Sequence, residues 1–159
     1  MPPFTALLHC ENDVRRLGRT LEMLLPCSEI LIVDHGSADG TRRVALEYGA
    51  RVIAANAVAG SYGKLARHNW IFCMQPGESI NETLQTSLFE WSARAEADIA
   101  SGCAFSVCVR EQAGEDWITL PTPQTRLIPR TWSRWQGDIP AHEPSSTPLE
   151  GALLRFPFP

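Results

Sequence analysis

The sequence lacks several features that would assign it to whole classes of protein. Its 14 lysine and arginine residues are scattered, and the net charge of the 159 residues is −4, so no basic stripe can follow a nucleic-acid backbone. Its longest apolar runs, 30–33 and 70–74, are far shorter than the ~20 residues that a bilayer crossing requires. We therefore expect neither nucleic acid as a partner nor a transmembrane segment.

Paired cysteines and a secretion signal are also missing. The five cysteines are an odd number without a C-x-x-C pair, which favours buried free thiols. No basic residue precedes Arg15, and the start Met-Pro-Pro-Phe does not look like a cleaved signal. We expect a cytoplasmic protein, or one peripheral to the inner face of the membrane.

What is present is the composition of an ordinary globular protein, 44% hydrophobic and 20% charged. A chain of this length can bury roughly 70% of its unfolded surface around a single core. We expect one domain over residues 1–159, whose character changes after residue 100.

Apolar runs and amphipathic stretches alternate through the first hundred residues. Strands are predicted at 4–8, 29–34, 51–54 and 70–74. Helices are predicted from 14 to about 25, over 41–48, and from a Ser79-x-x-Glu82 capping box to 91, with Asn12 capping the first. This alternation predicts an α/β fold with a mostly parallel sheet flanked by helices.

The pattern beyond residue 100 is less regular. Strands are predicted at 103–109, 117–120, 126–128 and 151–156, and a loop over the Pro- and Ser-rich segment 137–148. We expect this half to be antiparallel and irregular.

Polar residues follow the second predicted strand, at the sheet edge where ligands of open α/β folds bind. Asp34 ends that strand, and Gly36, Ser37 and Asp39 follow it. The Asp34 carboxylate can accept hydrogen bonds from a base or ribose, while the glycine lets a ligand approach the backbone. Alternatively, the polar side chains only cap the next helix. The spacing leaves both interpretations open.

Two segments in this order resemble the opening of the family 2 glycosyltransferases, which have the GT-A fold. The first strand is followed by an Asn-acidic pair, Asn12-Asp13, and the second ends in Asp-x-Gly-Ser-x-Asp-x-Thr over 34–41. The resemblance implies a shortened, three-layer, Rossmann-like fold that binds a nucleotide-diphosphate sugar of the uridine type. It implies that Asp34 contacts the base, that Asn12 and Ser37 shape the pocket, and that 1–100 is the nucleotide-binding half and 101–159 the acceptor side.

The segment 64–69 is similar to an Ala-Arg-Asn segment that lies near the nucleotide phosphates in this family. The resemblance makes Lys64 and Arg67 candidate phosphate ligands. Ordinary solvated positive charges are the alternative.

The segment 70–78 is similar to the family's Trp-Ile-Leu-x-Leu-Asp-x-Asp-Glu strand, but Gln75 and Gly77 stand at the two acidic positions. Mg²⁺ and Mn²⁺ require hard anionic oxygens, and Glu78 alone does not replace two carboxylates. We therefore expect no divalent cation here. The helix that normally precedes this strand is almost entirely deleted.

Three C-terminal segments resemble a branch of the family that acts on lipopolysaccharide core sugars: 124–130, His142-Glu143 and 149–157, with Arg155 where histidine is usual. This implies a glycan or lipid-linked acceptor. Glu143 is the best candidate for the general base of an inverting transfer, with His142 orienting it. A solvated glutamate and a plain loop histidine are the alternatives.

Three functions remain open at this point. The first is a metal-independent glycosyltransferase. The second is a catalytically inactive relative that keeps a nucleotide or sugar pocket. The third is a scaffold that works through a protein surface, which exposure of Trp117, Trp132 or Trp135 would support.

Overall fold

The parallel part of the sheet is built from the first four strands. The computed structural model describes residues 4–24, 27–56, 61–94 and 103–157, without the Ser61 side chain. The strands are β1 (Phe4–Cys10), β2 (Glu29–Asp34), β3 (Arg51–Ala54) and β4 (Trp70–Met74). They lie in the order β3-β2-β1-β4, and all three pairings are parallel. Every residue of β4 is buried, as expected for a strand covered on both faces.

The three α-helices of the described residues pack on one face of this sheet. They are α1 (Val14–Glu22), α2 (Thr41–Glu47) and α3 (Glu82–Ala93). Leu17, Ala45 and Leu88 join the apolar side chains of the sheet in one core. The opposite face is covered by Trp132, Trp135 and a 3-10 helix, η1 (Ser61–Leu65). The second of the two expected flanking layers is therefore thin, in line with the deletion before β4.

The sheet continues into the second half of the chain. Its further strands are β5 (Glu78–Ile80), β6 (Phe105–Ala113), β7 (Asp116–Thr119), β8 (Gln124–Pro129) and β11 (Thr147–Arg155), and β9 (Trp135–Gln136) and β10 (Ile139–Pro140) form a separate hairpin. Beyond β4 the order is β8-β6-β11-β5, antiparallel except for the parallel pair β6–β11. The predicted loop over 137–148 is thus partly strand.

Both predicted helix caps are wrong. Asp13, not Asn12, occupies the N-cap position of α1, because Asn12 adopts a positive φ of 52° and its side chain accepts a hydrogen bond from the Ala38 N–H. Ser79 lies in β5, where its backbone pairs with β11. Asn81 caps α3 instead, since its Oδ1 accepts from the Leu84 N–H at 2.9 Å. The predicted end of the first helix, 25–26, lies outside the described residues.

The five cysteines are free thiols, as predicted, but only Cys10 and Cys73 are buried, while Cys27, Cys103 and Cys108 are half-buried. Burial raises the pKa of Cys10 to about 12 and the pKa of Cys73 to about 12, which keeps both thiols protonated at neutral pH. Within the described part of the chain, no helix is long and apolar enough to span a membrane.

Candidate functional site

Strands β1, β2 and β4 end at the same edge of the sheet. Cys10 is level with Asp34, and Leu8 with Met74. The polar segments that follow these strands therefore meet there. Three adjoining clefts, of about 620, 410 and 320 Å³, open at this edge. Each pair of them shares wall residues: Gln75 for the first and second, Arg16 and Pro76 for the second and third, and Asp138 for the first and third.

Asp34 holds the loop that follows it. Its carboxylate accepts hydrogen bonds from the Ser37 N–H at 3.3 and 3.4 Å and from the Ser37 hydroxyl. The side chain is 6% exposed, and Arg42 lies above it, with its Nε 3.9 Å from Asp34 Oδ2. A carboxylate has room for about four hydrogen bonds, so these local contacts leave acceptor capacity.

The structure brings Asn12, Gly36 and Ser37 together beside Asp34. The Asn12 N–H donates to Ser37 Oγ at 3.0 Å, and its Oδ1 accepts from the Ala38 N–H at 2.8 Å. Gly36 has a φ of 79°, and a β-carbon there would meet no atom within 4 Å. The loop therefore presents open space directly after Asp34.

Asp39 acts as a cap. Its Oδ1 accepts from the Thr41 N–H at 2.9 Å and from the Thr41 hydroxyl, and its Oδ2 from the Val14 N–H at 3.3 Å. These hydrogen bonds, chiefly the one from the Thr41 side chain, lower the pKa of Asp39. The capping interpretation thus describes Asp39, while Asp34 holds its own loop.

Arg67 lies at the opposite edge of the sheet. Its Nε is 3.4 Å from Glu29 Oε2, and its N–H donates to Glu29 Oε1 at 3.0 Å. Glu29 begins β2 and Asp34 ends it, a separation of about 17 Å for a strand of this length. Lys64 is exposed in η1, next to Leu65, whose carbonyl accepts from Arg51 at the start of β3. The shortened connection enters β4 at its amino end, which places 64–69 away from Asp34.

Glu78 is committed to a buried ion pair. Its two oxygens accept from Arg126 Nη1 and Nη2, both at 2.8 Å, and the two side chains are 1% and 0% exposed. Burial alone would raise the pKa of Glu78, but the adjacent Arg126 and its hydrogen bonds outweigh burial and lower it. With Gln75 and Gly77 beside it, this segment does not fit a Mg²⁺ or Mn²⁺ site.

Two half-buried arginines line the same edge, and sequence reasoning did not assign them there. Arg16 and Arg155 both line the 410 Å³ cleft. Arg155 Nη2 lies 3.2 Å from Glu78 Oε2, so this one carboxylate faces two guanidinium groups, Arg126 and Arg155. Arg16 is paired with Asp13, whose Oδ1 accepts from Arg16 Nε at 3.1 Å. The excess of positive charge at this cleft therefore comes from Arg126 and Arg155, which share the single carboxylate of Glu78. The sequence contained one indication of a role for Arg155: it stands at a position where the resemblance predicts histidine.

His142 and Glu143 are adjacent in the chain at the rim of the 620 Å³ cleft. His142 forms part of the 620 Å³ wall. Glu143 accepts from Arg134 Nη1 at 3.2 Å and from Ser145 Oγ at 2.9 Å. The Arg134 hydrogen bond, followed by that of Ser145, lowers the pKa of Glu143, which makes its carboxylate a weaker base.

The three tryptophans that would have supported a protein-binding surface are half-buried. Trp132 and Trp135 pack on the second face of the sheet. Trp117 packs edge-on against Phe156, with ring centroids 5.2 Å apart. Their positions are explained by packing within the chain.

Solved structures show a similar fold. Over 76% of this chain and 38% of the other, the structure is similar to S. aureus TarS 1–349 in complex with UDP, with a TM-score of 0.56 and 14% identity. Glucosyl-3-phosphoglycerate synthase from Mycobacterium tuberculosis, in complex with Mg²⁺ and UDP, is similar over 72% of this chain and 45% of the other, with a TM-score of 0.51 and 14% identity. These likenesses confirm the predicted shortened GT-A-like α/β fold.

One curated relative matches a short part of the sequence. The lipopolysaccharide core biosynthesis glycosyltransferase LpsC of Rhizobium meliloti (strain 1021) is 44% identical over 46 residues, which are 29% of this chain and 17% of the relative. No model of a known protein family matches the sequence. The chain spans less than half the length of the proteins to which it is similar.

Proposed function

We propose that this chain, which has the shortened GT-A fold of the family 2 glycosyltransferases, binds a uridine-type nucleoside diphosphate sugar. The proposed site is the carboxyl edge of β1, β2 and β4. One observation carries the proposal: the Asn12–Asp34–Ser37 network and the cleft-lining arginines Arg16 and Arg155 lie at the same sheet edge. A polar loop with open space and a nearby positive cleft together suit a base, a ribose and a diphosphate.

In this proposal Arg16 and Arg155 neutralise the diphosphate. Guanidinium groups bind phosphate oxygens through paired hydrogen bonds, without the coordination sphere that a metal demands. Arg155 shares Glu78 with Arg126, so its charge is only partly compensated within the chain. These two arginines replace Lys64 and Arg67 as the proposed phosphate ligands, because Arg67 pairs with Glu29 at the other edge.

The 620 Å³ cleft is the proposed place for the sugar and for a glycan or lipid-linked acceptor. It adjoins the nucleotide edge through Gln75 and includes His142. In an inverting transfer, the acceptor oxygen forms a bond to the anomeric carbon, the bond from that carbon to the diphosphate breaks, and a base takes the acceptor proton. Glu143 remains the proposed base, and it must exchange its contact with Arg134 for one with the acceptor.

A second candidate is a catalytically inactive relative that binds the nucleotide sugar without transferring it. The observation that favours it is the state of the two carboxylates: Glu78 is buried with Arg126, and Glu143 is paired with Arg134. Both candidates share the nucleotide site, so binding is the first question and transfer the second.

Binding is tested by thermal unfolding with UDP and UDP-sugars, in EDTA and in Mn²⁺. A ligand at 100 times its Kd stabilises the native state by about 2.7 kcal/mol, which raises the Tm of a chain this size by roughly 5–10 °C. We expect this rise in EDTA, and its loss in Asp34→Asn and Arg155→Met. Arg43→Met, which alters an exposed arginine of α2, is the matched control and keeps the full rise.

Two outcomes would count against the proposal. If no uridine nucleotide raises the Tm, the proposed nucleotide site is ruled out. If the Tm rises only in Mn²⁺, the proposed role of the two arginines is ruled out. If binding is observed, release of UDP from a UDP-sugar in the presence of glycan acceptors separates the candidates. An active enzyme releases UDP and loses this on Glu143→Gln, whereas the inactive relative releases none.

A further inference from the structure

Three potential metal ligands from separate parts of the chain converge beside the candidate site. His9 lies in β1, His35 follows β2, and Asp138 lies in the turn between β9 and β10. His9 Nδ1 is 2.8 Å from His35 Nε2 and 3.5 Å from Asp138 Oδ1. The three ligand atoms all lie within 4.8 Å of one another.

These distances are close to those of a tetrahedral site. Ligand atoms about 2.0–2.1 Å from a tetrahedral zinc ion lie about 3.3–3.4 Å from each other. The distance of 3.5 Å between His9 Nδ1 and Asp138 Oδ1 is already close to this ligand–ligand distance. The two histidine nitrogens, 2.8 Å apart and now hydrogen-bonded, need to separate by about half an ångström. A change of this size is within the reach of the exposed His35 side chain.

The surroundings hold one ligand in place and leave a coordination position open. The His9 side chain is 8% exposed and packs against the Tyr62 ring, with centroids 5.1 Å apart. Asp138 is 49% exposed. The 320 Å³ cleft runs past all three ligands, so a fourth position faces solvent.

We propose that His9 Nδ1, His35 Nε2 and Asp138 Oδ1 form a binding site for one divalent transition-metal ion of the zinc or cobalt type. Two imidazoles and one carboxylate prefer such ions to Mg²⁺ or Mn²⁺. Three protein ligands with a fourth position open to a cleft resemble a catalytic zinc site more than a closed structural one. The three ligands are different residues from those of the Gln75–Glu78 segment, although Pro76 lines the same cleft, and the proposed site does not depend on nucleotide binding.

The test is a titration of the metal-free protein with Co²⁺, followed by visible absorption, and with Zn²⁺, followed by calorimetry, in both cases without nucleotide. We expect one equivalent of either ion to bind and the cobalt spectrum to lack the thiolate charge-transfer band that cysteine ligands produce. His35→Ala and Asp138→Asn each remove one ligand and should weaken binding at least tenfold. Both positions are exposed or half-exposed, so these variants are expected to fold.

His68→Gln is the matched control, because His68 lies in the segment that leads into β4 at the other edge of the sheet. It should bind both ions as the parent does. The proposal is overturned if the parent binds no stoichiometric ion, if His35→Ala and Asp138→Asn bind as tightly as the parent, or if the spectrum shows cysteine ligation. Circular dichroism of each variant establishes that lost binding is not lost folding.

Discussion

Asp34 ends β2 and Glu78 lies four residues after the end of β4, but their carboxylates have opposite surroundings. The partners of Asp34 are Ser37, three residues away, and the exposed Arg42 at 3.9 Å. Glu78 accepts from the nearby Gln75 N–H, but its charged partners come from β8 and β11, and both Glu78 and Arg126 are fully buried. Local contacts can rearrange around a ligand without disturbing the sheet, whereas the Glu78 pair is part of the core. The comparison supports the proposal that Asp34 takes part in ligand binding, and it indicates that Glu78 is structural.

The largest expected effect comes from breaking the buried pair. Arg126→Met leaves the Glu78 charge largely uncompensated, which costs about 3–5 kcal/mol out of a typical total of 5–15 kcal/mol. Urea unfolding measures the loss. Arg43→Met removes an exposed partner of Glu47 at 3.9 Å and should cost no more than about 0.5 kcal/mol.

The double variant Arg126→Met/Glu78→Leu sharpens this prediction. Replacing both charges by apolar side chains removes the unpaired charge, so we expect it to recover a large part of the stability that Arg126→Met loses. If the double variant is no more stable than Arg126→Met, the packing of the Arg126 side chain, and not its charge, accounts for most of its contribution to the free energy of unfolding.

The same pair predicts a dependence of stability on pH. Because the folded-state pKa of Glu78 is lowered, its contribution is fully present above the unfolded pKa of about 4.3 and is lost as the pH falls through the folded pKa. Urea unfolding between pH 6 and 3 should show the parent losing more stability than the double variant. Parallel curves for the two proteins would mean that Glu78 does not titrate differently on folding.

The glycines near Asp34 and Glu78 also differ in their surroundings, with a smaller expected effect on stability. Gly36 and Gly77 have φ values of 79° and 87°, but only at Gly77 would a β-carbon crowd a neighbour, the Phe156 carbonyl oxygen at 3.2 Å. Gly36→Ala should cost about 1 kcal/mol for its backbone conformation. Gly77→Ala should cost about 2–3 kcal/mol, since crowding adds to the same strain. Equal losses in urea unfolding would contradict the difference in packing.

Of the substitutions in the segments of Asp34 and Glu78, Asp34→Asn is expected to have the smallest effect on stability. The amide oxygen still accepts from the Ser37 N–H, so we expect a loss of about 1 kcal/mol or less, although nucleotide binding should be lost. A loss as large as that of Arg126→Met would break the comparison, because it would make Asp34 a structural residue as well.

Local sequence predicted the features that depend on neighbouring residues. The strands over 29–34, 51–54 and 70–74 were predicted with the observed bounds, because each is an apolar run. The clustering of Asn12, Ser37 and Asp34 followed from the rule that parallel strands end at one edge. The predicted capping box was wrong because Ser79 pairs with Leu154 of β11, a partner that no local pattern reveals.

The sequence by itself determined the α/β alternation and the polar segments that follow the parallel strands, since hydrophobic periodicity and turn residues act over a few positions. Only the tertiary structure decided which charges pair with each other and which side chains meet at the carboxyl edge of the parallel strands. It pairs Glu78 with Arg126, 48 residues away, holds Arg67 on Glu29 at the far edge, and brings His9, His35 and Asp138 together. These contacts depend on strand order and register, which bring together residues that are far apart in the sequence. No short segment of the sequence predicts them.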